Sequence, residues 1–379
     1  MKVGIVVPYS WSFWGGVVDH AEQQLLALRA LGVDAWLVMG NDPPGSFTHV
    51  LHPGLGRHMD PPAYVLPVGR SVIVPANGSL PNIVLTPSVP SRMKRIFERE
   101  RFDVIHVHEP MTPAIGVAAL ALWRGPMVGT FHASGHLGWM RGGRHIWGFL
   151  AERLDRRIAV SEEARVSAQR WLPGEYTVVP NGVQVPPHAD PAGRENRIVF
   201  IGRHDPRKGM PVLLRAWPEI HRRTGARLRL VGADPLAVRL VLTREHLSDE
   251  GVDVLGVLTD DELTQELLRA KGLVASSLGG ESFGMVLTRA FACAIPAVAS
   301  DIPGYRAVLT DETGLLAPPG DHAALAERVV ELLADEELRQ RRGAAARELV
   351  KTRYAWESVA PRLLEIYEDV AGRVAVPAA

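Results

Sequence analysis

The sequence has few of the features that mark secreted, membrane-spanning or nucleic-acid-binding proteins. Its single cysteine, Cys293, excludes an internal disulfide and fits a reducing compartment. Basic and acidic residues balance at 42 each, so no overall positive charge favours nucleic acid. The longest apolar run, residues 114–123, is about half a membrane span, and Lys2 leads directly into a strand-like VGIVV run rather than a signal peptide. We therefore expect a cytoplasmic protein without a membrane-spanning helix.

Two absent motifs narrow the function further. A dinucleotide-binding domain needs G-x-G-x-x-G after a strand, but here PYSWSFWGGV follows the first strand and GRHDPRKG follows a later one. The chain also has no D-x-D carboxylate pair, so we expect no divalent metal that would hold a diphosphate. Protein cations would have to neutralise such a ligand instead.

Strand-like and helix-like segments alternate along the chain, which indicates α/β domains with parallel sheets. The pattern stops at a loop, residues 182–196, and then starts again, so we predict one domain at 1–180 and a second at 181–355. An amphipathic helix at about 356–379 is expected to return to the first domain. Ligands are expected at the carboxyl ends of the two sheets. Strands are predicted at 3–7, 34–39, 103–108, 127–132, 157–160, 197–202, 227–231, 252–255, 273–276 and 296–300, and helices at 16–31, 90–100, 113–123, 146–154, 210–224, 260–270, 282–293, 321–334, 337–351 and 356–374.

The segment SSLGGESFGMVLTRAFACA, residues 276–294, predicts an anion site. Gly279 and Gly280 permit a sharp turn, and a helix is expected to begin directly after Glu281. Free backbone N–H groups and the positive end of the helix dipole would bind a phosphate or diphosphate there. The Glu281 carboxylate could then accept hydrogen bonds from sugar hydroxyls. The alternative is an ordinary glycine turn with an acidic helix cap.

Two cations follow the first strand of the second domain. Arg203 and Lys208 lie in IGRHDPRKGM, where a planar guanidinium and a point charge would suit one diphosphate. Alone they could be solvated loop charges. Because Glu281 belongs to the same domain, we favour a ligand site.

Histidines end two strands of the first domain. His132, in VGTFHAS, could position a sugar hydroxyl, or it could simply bond to nearby backbone. His106 and His108 alternate along VIHVHEP and could form a metal pair. Spacing shows no third ligand, so we predict no metal site.

Two segments could contact an acceptor or a membrane. The loop YSWSFWGG, residues 9–16, holds four aromatic side chains that either pack inward or form an acceptor surface. A helix near residues 91–101 resembles an interfacial helix that binds anionic lipid, although an ordinary surface helix fits equally well. Its apolar residues are Met93, Ile96 and Phe97, surrounded by Arg92, Lys94, Arg95, Arg99 and Arg101.

Taken together, GGESFGMVL, IGRHDPRKGM, VVPNGV, DVIHVHEP, GTFHAS and the opening GIVVPYS…GGV resemble glycosyltransferase family 4. Within it they look most like the actinobacterial phosphatidylinositol mannosyltransferases. The resemblance implies the GT-B fold, with two Rossmann-like domains facing a cleft. It also implies retaining, metal-independent transfer from a nucleotide sugar, with no cofactor.

The resemblance assigns roles residue by residue. Arg203 and Lys208 match the diphosphate cations, Glu281 matches the glutamate near the anomeric carbon of the donor sugar, and His132 matches the histidine at the reaction centre. Arg289 stands where the family usually has a glutamate that holds the ribose, so either this contact is lost or Arg289 binds an anionic group. The remaining residues expected at the donor are Gly15, Gly16, Ser282, Phe283 and Gly284.

These observations predict a mannosyltransferase that moves mannose from GDP-mannose onto a lipid head group such as phosphatidylinositol. The first domain would bind the acceptor, and the second the nucleotide sugar. Contact with an anionic membrane would place the enzyme peripherally at the inner face of the plasma membrane. The alternatives are a family 4 enzyme with a soluble acceptor and a nucleotide-sugar-binding relative without catalysis.

Overall fold

The chain forms two compact units. The computed structural model describes residues 1–13, 15–52, 60–74, 82–132, 144–202 and 205–374. Unit 1 comprises Met1–Gly182 together with Trp356–Ala379, and unit 2 comprises Val183–Ala355. Each unit is built around its own parallel sheet, so the predicted α/β class is confirmed. Among the described residues, no helix combines the length and apolar character needed to cross a bilayer.

The described part of unit 1 contains a nine-stranded sheet whose long strands are parallel. Its central strands are continuous runs of buried residues because both faces of the sheet are covered. Along the sheet the strands lie in the order β3-β2-β1-β6-β7-β8-β9, and β4 and β5 form an antiparallel ribbon beside β1. The strands are β1 (Lys2–Ser10), β2 (Asp34–Gly40), β3 (Val65–Pro67), β4 (Ser71–Ile73), β5 (Asn82–Val84), β6 (Val104–His108), β7 (Met127–Phe131), β8 (Arg156–Ala159) and β9 (Thr177–Val178).

Helices cover both faces of this sheet. Met93, Ile96 and Phe97 are buried in the core on one face, so the apolar side of the predicted basic helix packs inward and is not available to lipid. Trp11 and Phe13 of the aromatic loop are also buried, whereas Trp14 lies outside the described residues. The helices of this part of the chain are α1 (Gly16–Ala30), α2 (Ser46–Leu51), α3 (Val89–Glu100), α4 (Ile115–Leu122), α5 (Arg144–Ala151) and α6 (Glu162–Gln169).

Unit 2 has a six-stranded, entirely parallel sheet in the order β12-β11-β10-β13-β14-β15. Its main core lies between the sheet and α7, α8 and α12. On another side of the unit, α10 packs against α13. The strands are β10 (Arg197–Ile201), β11 (Arg227–Val231), β12 (Val252–Gly256), β13 (Gly272–Ala275), β14 (Ala297–Ser300) and β15 (Gly314–Ala317). The helices are α7 (Met210–Thr224), α8 (Pro235–Arg244), α9 (Asp260–Arg269), α10 (Met285–Ala292), α11 (Pro303–Arg306), α12 (His322–Ala334) and α13 (Glu336–Arg353).

The C-terminal helix, α14 (Trp356–Val374), returns to unit 1, as predicted. Val359, Leu363 and Val370 lie on its apolar face and are buried against α1 and the sheet. Tyr367, on the same face, is fully buried and fixes a polar chain inside this core. Gln24 Nε2 donates to the Tyr367 hydroxyl at 2.8 Å, and that hydroxyl lies 2.6 Å from His106 Nδ1.

Several elements differ from the sequence-based expectations. The helix expected at 282–293 begins only at Met285, because Gly284 takes a left-handed conformation (φ 81°) and the preceding residues form a turn. Helices α2, α6, α8 and α11 and strands β9 and β15 were not predicted. In α8, Leu236 and Leu240 are 62% and 61% exposed, so hydrophobic residues on its outer side obscure the amphipathic pattern.

Tyr367→Phe should destabilise unit 1, because it leaves Gln24 and His106 buried with one hydrogen-bonding partner fewer. We expect a loss of about 1–3 kcal/mol in the free energy of unfolding. Urea unfolding would measure it, with Tyr176→Phe as the control, since the Tyr176 hydroxyl donates to a single backbone carbonyl, that of Leu172. Equal losses in the two variants would contradict the role given to Tyr367.

Candidate active site

The sheet of unit 2 has a topological switch point, and the two loops that meet there carry predicted site residues. β10 lies between β11 and β13, so the chain leaves β10 and β13 towards opposite edges of the sheet. Loops at the carboxyl ends of two such strands form a crevice where open α/β sheets bind ligands. The loop after β10 carries Lys208, and the loop after β13 carries Glu281.

The loop after β10 ends in a single 3₁₀ turn, Pro206–Lys208. The Asp205 carboxylate accepts a hydrogen bond from the Arg207 backbone N–H at 2.9 Å and from its guanidinium at 2.7 Å. Arg207 is thereby held within its own turn. Lys208, the next residue, extends its ammonium group towards the neighbouring loop.

Lys208 and Glu281 meet directly. Lys208 Nζ lies 2.6 Å from Glu281 Oε1, and both side chains are only partly exposed, at 26% and 16%. Their loops are joined by backbone contacts as well, since the Leu278 N–H donates to the Arg207 carbonyl at 2.7 Å. The Ser276 hydroxyl donates to the Gly209 carbonyl at 3.0 Å. The ammonium group predicted to bind a diphosphate and the carboxylate predicted to bind sugar hydroxyls therefore lie together.

The residues after Glu281 fall into different environments. Ser282 is partly buried, and Gly284 forms the N-cap of α10. Phe283 is buried, and its ring packs edge-on against Tyr354 with centroids 5.5 Å apart. The Phe283 side chain is therefore part of the core, and only its backbone could contact a ligand.

Arg289 is held by a carboxylate that sequence analysis missed. Its Nη1 atom donates to Asp260 Oδ1 at 2.9 Å, at the first residue of α9. Replacing Arg289 with the glutamate that the family usually has would place a second carboxylate opposite Asp260. The resulting repulsion would oppose any gain in ribose binding.

Three predicted donor residues remain, Arg203, Gly15 and Gly16. Arg203 is outside the described residues, so its predicted contact with a diphosphate stays a prediction. Gly15 and Gly16 lie in unit 1, where Gly15 caps α1 and Gly16 begins it. A Cβ atom at Gly15 would meet nothing within 4 Å. This helix N-terminus thus has open space beside its backbone.

His132 follows β7 in unit 1 and belongs to a buried histidine cluster. Its Nε2 atom lies 2.7 Å from His108 Nδ1, and the two rings stack with centroids 5.0 Å apart. His20, on α1, meets the His132 ring edge-on at 5.3 Å. The Glu109 carboxylate accepts a hydrogen bond from the His132 backbone N–H at 2.8 Å. The His132 ring is therefore held by contacts from several elements.

Burial makes these imidazoles neutral. It lowers the pKa of His132 to about 3, and burial followed by the charge of His132 lowers that of His106 to about 3. Burial also lowers the pKa of His20 and His108 well below their usual range. At physiological pH, His132 can exchange hydrogen bonds with a hydroxyl but offers no positive charge.

The cluster contains a third histidine that the sequence spacing did not reveal as a possible metal ligand. Spacing showed no third ligand beside His106 and His108, yet one nitrogen each of His20, His108 and His132 lies within 4.8 Å of the others. Such a set could hold a transition metal. However, one of the facing nitrogens of His108 and His132 carries the proton of their hydrogen bond, so that bond would have to break. The prediction that the protein has no metal site stays a prediction.

Comparison with known proteins identifies the family. The model described as "Glycosyltransferase Family 4" matches residues 14–185, and "Glycosyl transferases group 1" matches residues 195–335. The phosphatidyl-myo-inositol mannosyltransferase of Mycobacterium leprae is 36% identical over 98% of this chain and 97% of its own length. The chain belongs to glycosyltransferase family 4. The phosphatidyl-myo-inositol mannosyltransferase of Propionibacterium freudenreichii is 32% identical over 98% of this chain and 96% of its own length.

Solved structures show the fold of this glycosyltransferase. Sucrose-phosphate synthase from Thermosynechococcus elongatus superposes with a TM-score of 0.75 at 21% identity, covering 98% of this chain and all of its own. Anabaena HepE in complex with UDP-glucose gives 0.71 at 19% identity, over 97% of this chain and 100% of that one. The predicted GT-B fold is thereby confirmed.

In each unit of this glycosyltransferase, sequence reasoning missed residues that contact the predicted site residues of that unit. His20 lies one helical turn after Gly16, a spacing that could have placed it beside the strand ends. Asp260 lies within a Thr-x-x-Glu capping box, between Thr259 and Glu262, which marked the helix start but not the contact of Asp260 with Arg289. Ser277 and Tyr305, near Glu281, carried no sequence signal, because only the fold brings them together.

Gly209→Ala should disrupt the loop that carries Lys208. A Cβ atom there would lie 1.8 Å from the Ser276 carbonyl oxygen, and the residue has φ of +67°. The left-handed backbone alone costs a non-glycine residue roughly 1–2 kcal/mol. Gly225→Ala is the matched control, since Gly225 has φ of +62° but open space around it. Urea unfolding should show a clearly larger loss for Gly209→Ala, and equal losses would contradict the close approach.

Proposed function

We propose that this glycosyltransferase is a retaining mannosyltransferase that moves mannose from GDP-mannose onto the inositol head group of phosphatidylinositol, without a metal ion. The observation that carries the proposal is the near-complete match to enzymes named phosphatidyl-myo-inositol mannosyltransferase, at up to 36% identity over 98% of the chain. The pairing of Lys208 with Glu281 supports it, because both predicted donor groups lie in one site.

In this proposal, unit 2 binds the nucleotide sugar. The diphosphate takes the Lys208 ammonium, with Arg203 as a second cation, and the N-terminus of α10 adds backbone N–H groups and a positive dipole. Lys208 then shares its charge between the diphosphate and Glu281. Glu281 accepts hydrogen bonds from the hydroxyls of the sugar and stabilises positive charge that develops near the anomeric carbon.

The chemical step exchanges one bond at the anomeric carbon for another on the same face of the sugar. The bond to the diphosphate oxygen breaks as the acceptor oxygen bonds to the anomeric carbon, and the acceptor proton passes to the departing diphosphate. His132, a neutral imidazole, orients a hydroxyl rather than acting as a strong base. Lys208 supports the negative charge on the leaving group, which is the task that a metal ion performs in other transferases.

Transfer to a soluble acceptor is the second candidate. It is favoured by the burial of Met93, Ile96 and Phe97, which removes the apolar face that a membrane-inserting α3 would need. HepE, whose structure contains UDP-glucose, shows that this fold also accepts another donor.

The deciding experiment is a transfer assay in EDTA. The purified protein would be given GDP-mannose or UDP-glucose, with either phosphatidylinositol vesicles or free myo-inositol as acceptor. We expect mannosylated lipid from GDP-mannose, and NMR of the product would show a retained anomeric configuration. Product from free acceptors alone would favour the second candidate. A strict need for added magnesium would contradict metal independence.

Lys208→Ala should weaken donor binding and slow transfer, because it removes a charge-assisted contact to the diphosphate. We expect a loss of about ten- to hundredfold in kcat/KM. Lys271→Ala is the matched control, since Lys271 immediately precedes β13 and so lies at its other end. Steady-state kinetics and calorimetry with GDP would measure both effects. Similar kinetics for the two variants would rule out a donor role for Lys208.

We further propose that peripheral binding to the inner face of the plasma membrane uses charge on α3. Arg92, Arg95 and Arg99 are exposed and line a groove on unit 1, together with Leu66, Pro67 and Ile96. Arg92 and Arg95 form no ion pair with another described residue. Such unpaired cations are attracted to anionic lipid without inserting into it.

Binding to vesicles should therefore depend on charge. Arg92→Gln combined with Arg95→Gln should weaken binding to anionic vesicles about thirtyfold, at about 1 kcal/mol per cation, and salt should weaken binding of the parent. Arg239→Gln with Arg244→Gln on α8 is the control, since these arginines are also exposed. Co-sedimentation would measure binding, and equal partition onto neutral and anionic vesicles would contradict this assignment.

A further inference from the structure

Among the described residues, the contacts that hold the Glu281 carboxylate reach only one of its oxygen atoms. Lys208 Nζ donates to Oε1 at 2.6 Å, and the Ser277 hydroxyl donates to the same atom at 3.2 Å. No residue that the structure describes donates to Oε2. With Oε1 held from two sides, the direction of Oε2 is set, and this oxygen can accept hydrogen bonds from a ligand.

Ser277 is itself held by a buried tyrosine. Its hydroxyl oxygen lies 2.8 Å from the Tyr305 hydroxyl, and both residues are only 1% exposed. Because the single proton of Ser277 is given to Glu281, Tyr305 must be the donor in the second hydrogen bond. The chain thus runs in one direction, from Tyr305 through Ser277 to the carboxylate.

Tyr305 is suited to remain a donor. Burial, followed by the nearby charge of Glu281, raises its pKa well above the usual range. The hydroxyl therefore keeps its proton across the pH range in which the protein functions. The hydrogen bond with Ser277 replaces the one that the Tyr305 hydroxyl would make with water if it were exposed.

The short helix α11, which carries Tyr305, also presses against the backbone at Glu281. A Cβ atom at Gly304 would lie 2.0 Å from the Glu281 carbonyl oxygen, so only glycine permits this approach. A Cβ atom at Gly284 would lie 3.0 Å from the Tyr305 ring. Helix α11 therefore supports the GESFG turn at both of its ends as well as through the Glu281 side chain.

We propose that Ser277 and Tyr305 are positioning residues, which direct Glu281 Oε2 towards the hydroxyls of the donor's sugar. This inference rests on the proposed function, in which Glu281 binds the sugar and Lys208 binds the diphosphate. Both positioning residues are buried, so they would act through Glu281 and not by contact with the ligand. Their effect should therefore appear only for ligands that carry a hexose.

The test compares GDP-mannose with GDP in the parent and in Tyr305→Phe, which keeps the buried ring and removes one hydroxyl. Calorimetry should show about three- to tenfold weaker binding of GDP-mannose, with GDP binding unchanged. Hydrolysis of GDP-mannose relative to transfer should rise, because the sugar is held less firmly. Ser277→Ala should have the same selective effect, and the double variant should be no worse than Ser277→Ala alone, as expected for one chain.

Tyr354→Phe is the matched control. Tyr354 is a buried tyrosine of the same unit, and its hydroxyl donates at 3.3 Å to the carbonyl of Ala307, at the end of α11, rather than to Ser277 or Glu281. It should bind GDP and GDP-mannose like the parent. If Tyr305→Phe weakens both ligands equally, or neither, the positioning role is wrong. If Ser277→Ala does not fold, Tyr305→Phe alone decides.

These outcomes differ from failure of the proposed function. A parent protein that binds GDP and GDP-mannose equally, and transfers no mannose, would overturn the proposed function. In that case the comparison is repeated with UDP and UDP-glucose. A parent that transfers mannose, but whose affinity ratio is unchanged by Tyr305→Phe, would overturn only the positioning role.

Discussion

The ion pair between Lys208 and Glu281 is the contact on which the candidate site depends. The two opposite charges are 2.6 Å apart and partly shielded from water. They join the loop after β10 to the loop after β13, although the chain continues from these strands towards opposite edges of the sheet. Each charge offsets the desolvation of the other, so the site can keep a lysine and a carboxylate together before a ligand arrives. In the proposed function, a diphosphate shares the lysine with Glu281 rather than filling an empty positive pocket. Binding would therefore add a second ionic partner to a lysine that Glu281 already holds in place.

The sequence was sufficient for the class of fold, because both sheets are parallel and their central strands are short runs of buried apolar residues. It was less informative about helix ends near the site. Residues 282–284 read as helix, but Gly284 adopts a left-handed conformation that a periodic pattern cannot show. Helix α8 escaped detection for a different reason: Leu236 and Leu240 are exposed, and hydrophobic residues on the solvent side remove the contrast between faces.

The predicted site residues could be found from the sequence, whereas several of their partners could not. Lys208 and Glu281 could be found because each stands beside glycines directly after a predicted strand. Tyr305 lies 28 positions from Ser277, and His20 is on a different element from His108 and His132. Contacts of this kind arise from sheet order and helix packing, which no local pattern encodes. The partner of Arg289 belongs to this group too, since Asp260 lies on another helix and the charge of Arg289 alone does not reveal what it faces.

The return of α14 to unit 1 has a consequence for how the chain is made. Unit 2 is one uninterrupted stretch, Val183–Ala355, whereas unit 1 needs both the first 182 residues and the helix that follows unit 2. During synthesis from the N-terminus, the residues of unit 1 that pack against Trp356 and Tyr367 are made long before α14. Part of their apolar surface therefore stays uncovered until α14 has been synthesised. The second unit can thus reach its final packing before the first. The first unit can be completed only after the second has been synthesised.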